Sequence, residues 1–268
     1  MAGEKASVCV TGGGGFVASW LINLHLSKNY FVHATVRRPG DAKYAHLSAF
    51  EKASENLRLF KADLLYYDSI RSAVEGCVGV FHVASPVPSS ADTVLNPEPR
   101  ITDDLFVSSI SAVFMDPSWP KDQVMDETCW SDTEYCRTSK IWYRLSNTEA
   151  ESEVLELGKG SGLDVSTVNA SSLFLIRLLK GDESVENKLR CIVDVRDVAE
   201  ALILAFEKIE AEGRYICSAH MIKTDLTEVQ EELRLSSEKW QRLGWNYRPL
   251  MDTVIDRVEG YRLAGLLD

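Results

Sequence analysis

The segment VTGGGGFVAS, residues 10–19, sets glycine at 12 and 15 and a small residue, Ala18, three further on. Each position has a physical task. Gly12 makes the tight turn where the chain leaves a strand. Gly15 lets the backbone approach a pyrophosphate, and Ala18 lets helix and sheet pack closely. Glycines alone could equally be a flexible loop, but the β-branched run before them and the helical repeat after them point to a dinucleotide site. Thr11, Gly12, Gly15, Phe16 and Val17 are its expected contacts. The end of the second strand decides which dinucleotide. A carboxylate there would hold a ribose 2′-hydroxyl, yet the chain reads TVRRPGDAK. Arg37, with Arg38 and Lys43 nearby, suits a 2′-phosphate, since a planar guanidinium binds two oxygens at once. The expected cofactor is NADP(H). Asp63 and Leu64, closing the third strand, are expected to flank its adenine, and Val83, Ala84 and Ser85, closing the fourth, to lie under the nicotinamide ribose.

Such a site needs a scaffold, and the first half of the chain alternates as one would require. Strands are expected over residues 7–12, 31–38, 57–64 and 78–85, with a helix from Val17, Trp20, Leu21 and Leu24 after the first and a short helix capped by Asp68 or Ser69 before the fourth. Later strands are expected over 105–109, 163–169 and 213–219, and VRDVAEALILAFEKIE is a strong helix before the last of them. This rhythm means a parallel sheet with helices on both faces. The expected fold class is α/β, a Rossmann-type doubly wound parallel sheet with a small C-terminal substrate-binding lobe. Residues 1–170 form the NADP-binding domain, and 171–268 form the substrate part, including one strand that returns to the sheet. Two junctions break the pattern. Four prolines (86, 88, 97 and 99) leave no convincing crossover helix between the fourth and fifth strands. After Asn169 a strand runs almost directly into a helix, where a pocket-building loop is usual.

Composition narrows the classes. A net charge of −11 argues against nucleic acid and against a membrane surface. No apolar run approaches the roughly 20 residues of a membrane span. The N-terminus shows no apolar signal, so a cytoplasmic protein is expected. The six cysteines and five histidines are scattered without metal spacing, which predicts reduced thiols, with Cys129 and Cys136 as the one near pair, and no metal.

VCVTGGGGFVASW, TVRRPGDAKYAHL, FHVASPV, VSSISAVFMDP, DETCWSD, WYRLSNTEAES and GRYICSAH together resemble the plant cinnamoyl-CoA reductase and dihydroflavonol reductase group of extended short-chain dehydrogenases, nearer to the cinnamoyl-CoA reductase-like members. The resemblance implies an NADPH-dependent reductase acting on an aromatic acyl-CoA thioester, aldehyde or ketone. It places the catalytic serine at Ser109 and the catalytic tyrosine at Tyr143. Flavonoid reductases carry a substrate-binding asparagine where this chain has Phe114, and cinnamoyl-CoA reductases have an aromatic there. Hydride reaches the carbonyl carbon, Ser109 hydrogen-bonds the developing oxyanion, and Tyr143 delivers the proton. Alone, Tyr143 would read as a surface tyrosine on an amphipathic helix over 137–157, and Ser108-Ser109 as a strand end.

One residue of the motif differs. The family places a lysine four residues after the tyrosine, where this chain has Asn147. At about 4 Å and an effective dielectric near 20, one charge is worth roughly 4 kcal/mol before screening. Asn147 can hydrogen-bond a ribose hydroxyl but supplies no charge. Lys140, three residues before Tyr143, could share its face, though it points toward the opposite end of the site. Relatives also carry three stretches absent here, near residues 99–100, after Asn169 and near KTDLTEVQEEL. A weakened reductase is the leading expectation, and a catalytically impaired dinucleotide-binding homologue or another carbonyl reductase the alternative.

Overall fold

The computed structural model describes residues 6–84, 105–120, 123–161, 164–170, 190–222 and 235–263. Seven parallel strands form one sheet in the order β3-β2-β1-β4-β5-β6-β8. They are β1 (Ser7–Val10), β2 (Phe31–Val36), β3 (Leu57–Lys61), β4 (Gly79–His82), β5 (Leu105–Ser109), β6 (Ser166–Ala170) and β8 (Gly213–Cys217). The order reverses between β1 and β4, which is where an open α/β sheet leaves a crevice at its strand ends. The expected strands are all present; β5 matches its expected bounds and the others are shorter: β1 stops at Val10 and β3 at Lys61, so Asp63, Leu64 and the glycines lie in loops.

Both faces of the central strands are covered, which is why their sequences are nearly continuous apolar runs. Val8 and Val10 pack into the main core with α1 (Phe16–Ser27) and α7 (Val195–Glu207), through Leu21, Ile22, Val198 and Leu202. Cys9 points the other way, against Ala73 of α4 (Tyr67–Val74), with Val80 and Phe60 around it. Neither Asp68 nor Ser69 caps α4. The helix starts at Tyr67 after Tyr66, and the Ser69 hydroxyl instead donates back to the Tyr66 carbonyl (2.7 Å). Short helices α2 (Ala45–Ser48) and α3 (Ala53–Asn56) complete the β2–β3 connection.

The helix expected over 137–157 is two helices, α5 (Thr133–Thr138) and α6 (Trp142–Ser161). Lys140 adopts φ +57° between them. The Ile141 N–H reaches the Cys136 carbonyl (2.8 Å) and the Lys140 N–H the Arg137 carbonyl (3.2 Å). These are the two bonds of a Schellman stop, with lysine in the left-handed position usually given to glycine. Lys140 is exposed in that turn and shares no helical face with Tyr143.

Beyond residue 190, α7 packs on α1 and β8 extends the sheet next to β6. A second, two-stranded antiparallel sheet pairs β7 (Arg190–Ile192) with β9 (His220–Ile222), backed by Leu250 and Val254 of α9 (Leu250–Leu263). A short helix, α8 (Glu238–Arg242), buries Trp240 against Tyr215 of β8. All six cysteines are free thiols.

Candidate active site

The turn after β1 has a conformation only glycine accepts readily. Gly12 sits at φ +67°, its N–H bonds Thr35 Oγ1 (3.1 Å), and a Cβ there would lie 3.0 Å from the Ala84 backbone. Gly15 caps α1 without a side chain, so no side-chain oxygen occupies the N–H groups of the first turn. Gly15 and Phe16 are exposed, and Val17 is half-buried. Thr11 is different: it is fully buried, and its hydroxyl accepts from the Val83 and Ala84 N–H groups (3.1 Å each) and meets His82 Nδ1 at 3.2 Å. Its side chain is thus a strut between β1 and β4 rather than a contact surface. Burial pushes the His82 imidazole down to about 4. Val83 and Ala84 are half-buried at the end of β4, and Ser85 lies outside the described residues.

At the end of β2, Arg37 and Arg38 are exposed and make no ion pair among the described residues. Lys43 lies over the Tyr44 ring (4.8 Å to its centroid) and 3.7 Å from Asp41. The exposed Asp63 accepts the Leu65 N–H (3.1 Å), and Leu64 is half-buried beside it. A narrow glycine turn, an uncapped helix start and exposed guanidinium groups at the next strand end fit a dinucleotide with an extra phosphate.

The adjacent serines at the end of β5 face opposite ways. Ser108 is buried and donates to Glu151 Oε2 (3.0 Å). Ser109 is half-buried, and its oxygen accepts the Ser111 N–H (3.2 Å) as the cap of a 3₁₀ turn, Ile110–Ala112. Its own hydroxyl hydrogen is uncommitted among the described residues. That turn packs against α6, whose second residue is Tyr143, also half-buried. Asn147 is buried one turn on, and its Nδ2 donates to the Tyr143 carbonyl (2.7 Å), which Ser146 Oγ also approaches (3.0 Å). The amide is turned onto its own helix, so a residue expected to reach a ribose hydroxyl has one donor spent on the backbone. Phe114 is half-buried above a small core of Val113, Met125, Cys129 and Ile216.

Sequence reasoning missed what holds these parts together. Glu151, one turn beyond Asn147 and two beyond Tyr143 on α6 and fully buried, accepts from Ser108 Oγ, Thr167 Oγ1 (2.6 Å), Asn169 Nδ2 (2.7 Å) and Arg214 Nε (3.0 Å). One carboxylate therefore ties the tyrosine helix to β5, β6 and β8. Arg214 also donates to the Glu127 and Cys129 carbonyls (2.9 and 2.6 Å) and lies over Trp130 (3.5 Å). It thereby anchors the DETCWSD segment, whose Ser131 hydroxyl bonds the Ser111 carbonyl (2.8 Å) and accepts the Met115 N–H (3.0 Å). Burial raises the Glu127 carboxyl, which accepts the Ile216 N–H (3.1 Å). Glu151 carries no local sequence signal, because its partners stand up to 63 residues away.

Strand order and glycine turn together define the class: a dinucleotide-binding α/β domain of Rossmann type. A model described as the NAD dependent epimerase/dehydratase family matches residues 8–108. A cinnamoyl-CoA reductase 1 from Petunia hybrida is 36% identical, covering 97% of this chain and 93% of the relative. A cinnamoyl-CoA reductase 2 from Medicago truncatula is 40% identical, covering 100% and 94%. Among solved structures, vestitone reductase from alfalfa superposes with TM-score 0.80 at 29% identity, covering 98% of this chain and 100% of that one. The chain belongs to the plant cinnamoyl-CoA reductase and dihydroflavonol reductase group of extended short-chain dehydrogenases, a family of NAD(P)-dependent oxidoreductases. The Petunia alignment spans 310 positions, more than the 268 residues of the whole chain, so the relative holds internal residues with no counterpart here. The junction near residues 99–100, the chain beyond Ala170 up to residue 189 and the whole of KTDLTEVQEEL lie outside the described residues. Among those described, no helix is long and apolar enough to cross a membrane.

Proposed function

We propose that the chain is an NADPH-dependent reductase of the cinnamoyl-CoA reductase-like type, acting on an aromatic acyl-CoA thioester, aldehyde or ketone, and slowed by Asn147. Gly12, Gly15, Phe16 and Val17 would hold the pyrophosphate, Arg37 and Lys43 the 2′-phosphate, and Val83 and Ala84 would border the nicotinamide ribose. The cofactor supplies the hydride. Ser109 Oγ donates to the carbonyl oxygen as charge builds on it, and the Tyr143 phenol delivers the proton. Phe114 lines the aromatic side of the substrate.

The observation that carries this reading is the division of labour between the serines. Ser108 spends its proton on Glu151, while Ser109, among the described residues, keeps its own, on the turn packed against the tyrosine helix. Ser109→Ala should therefore lower turnover about 100-fold or more with little change in NADPH affinity. Unchanged turnover would refute the role. Because the Ser108 proton is already committed, Ser111 would be tested next.

Asn147 favours a second reading, a homologue that binds dinucleotide without turnover. Its amide is folded onto the Tyr143 carbonyl, and Lys140 stands in a separate turn. NADPH oxidation with feruloyl-CoA and small aryl aldehydes separates the two readings.

A further inference from the structure

The residue after Tyr143 is an arginine whose surroundings are unlike those of its paired counterparts. Arg137 pairs with Glu134 and Glu149, Arg196 with Asp194 and Asp256, Arg214 with Glu151, and Arg248 with Asp197 and Glu200. Arg144 is half-buried, yet no carboxylate meets it among the described residues. Its guanidinium lies over the Phe114 ring (4.4 Å to the centroid), and its Nη1 is buried with no hydrogen-bond partner among the described residues. The chain carries 40 acidic side chains, so counterions are not scarce.

Three costs coincide at this position. A partly desolvated cation without a counterion is unfavourable, and burial lowers the Arg144 pKa, with only the Cys136 thiol and the Tyr135 phenol to oppose it. The first turn of α6 holds no acidic residue. The helix dipole there also disfavours positive charge. An anion on the guanidinium would relieve all three.

The location fits a substrate group. Helical side chains lean toward the N-terminus of their helix, and α6 packs against the turn that follows Ser109. Phe114, which stands two residues after that turn, lies beneath the guanidinium.

Resting on the reductase reading above, we propose that Arg144 is the anion-recognition residue of the substrate pocket. Held on the face of Phe114, it binds a carboxylate or phosphate group of the substrate, so the chain selects anionic carbonyl compounds. The fork of a guanidinium matches two oxygens of either group.

The test measures binding, so it does not depend on turnover. Titration calorimetry on the NADPH-loaded protein compares 4-carboxybenzaldehyde with benzaldehyde, and cinnamoyl-CoA with S-cinnamoyl-pantetheine, which lacks the phosphates. The charged member of at least one pair should bind about tenfold tighter or more. Arg144→Leu should abolish that preference, Arg144→Lys should keep part of it, and neither should change NADPH affinity. A preference in the first pair assigns a carboxylate, and one in the second a phosphate. On the wild type alone, added salt should erode the preference, which keeps the test independent of how the variants fold. No preference in either pair, or one that survives Arg144→Leu, overturns the proposal. Absence of NADPH binding by the wild type would instead overturn the reductase reading.

Discussion

Removing the Glu151 carboxylate should be among the most destabilising single changes this chain can suffer. Glu151 is fully exposed to nothing but protein, and Arg214 beside it is 7% exposed. Glu151→Ala strands the buried guanidinium, unmakes bonds from Ser108, Thr167 and Asn169, and leaves a void between α6 and the sheet. Breaking one partner of a buried ion pair costs about 3–5 kcal/mol. For a domain of this size that is a Tm drop on the order of 10 °C. Glu151→Gln should cost less. Its amide oxygen can replace Oε1, and the Ser108 hydroxyl can turn to accept from the new NH₂. Pairing Glu151→Met with Arg214→Met should recover part of the loss, because the stranded charge disappears with its partner. Thermal and urea unfolding of the wild type, Glu151→Ala, Glu151→Gln, the two Met singles and the double variant decides it. A Glu151→Ala cost below about 1 kcal/mol, or a double variant as unstable as the sum of the singles, would refute the hub.

Two further outcomes follow from the site and the core. Arg37 stands exposed at the end of β2 with no ion pair among the described residues, so NADPH should bind at least about tenfold tighter than NADH, a difference of about 1.4 kcal/mol. Arg37→Ala should erase most of it, and equal wild-type affinities by fluorescence titration would sink the assignment. Burial holds both the His25 and His82 imidazoles at about 4, against about 6.5 when unfolded. Between those values the unfolded chain binds more protons, so this stability is fully present above about pH 6.5 and is lost as pH falls toward 4. Tm should drop across that window, and His25→Gln should flatten the slope; a Tm independent of pH there would contradict the burial of these rings.

The sheet was legible in the sequence because strands buried on both faces are written as β-branched runs, and because alternation with helices permits few topologies. The glycine turn was legible because Gly12 meets a steric demand that no other residue satisfies. The break between α5 and α6 was not, since the left-handed stop falls on Lys140 and glycine, its usual signal, is absent. β7 and β9 escaped notice because three-residue strands carry no readable period. The role of Asn147 was half legible: its lack of charge follows from its type, but its turn onto the Tyr143 carbonyl is set by local geometry. Glu151 was invisible, because strands distant in sequence, rather than its neighbours, give it meaning. Thr11 was read as a cofactor contact from its place beside the glycines, whereas pairing of β1 with β4 draws its hydroxyl inside.

The central claim is that the Ser109 and Tyr143 machinery is present and lacks only the charge that Asn147 fails to supply. The most direct measurement is NADPH consumption by the wild type and by Asn147→Lys, side by side across pH, with an aryl aldehyde and a cinnamoyl thioester. The account predicts a slow wild type, and a variant faster by about one order of magnitude or more whose pH profile moves toward neutrality, because a cation beside the phenol favours its ionised form. A wild type that already turns over as fast as Asn147→Lys, or a variant that gains nothing, would contradict it.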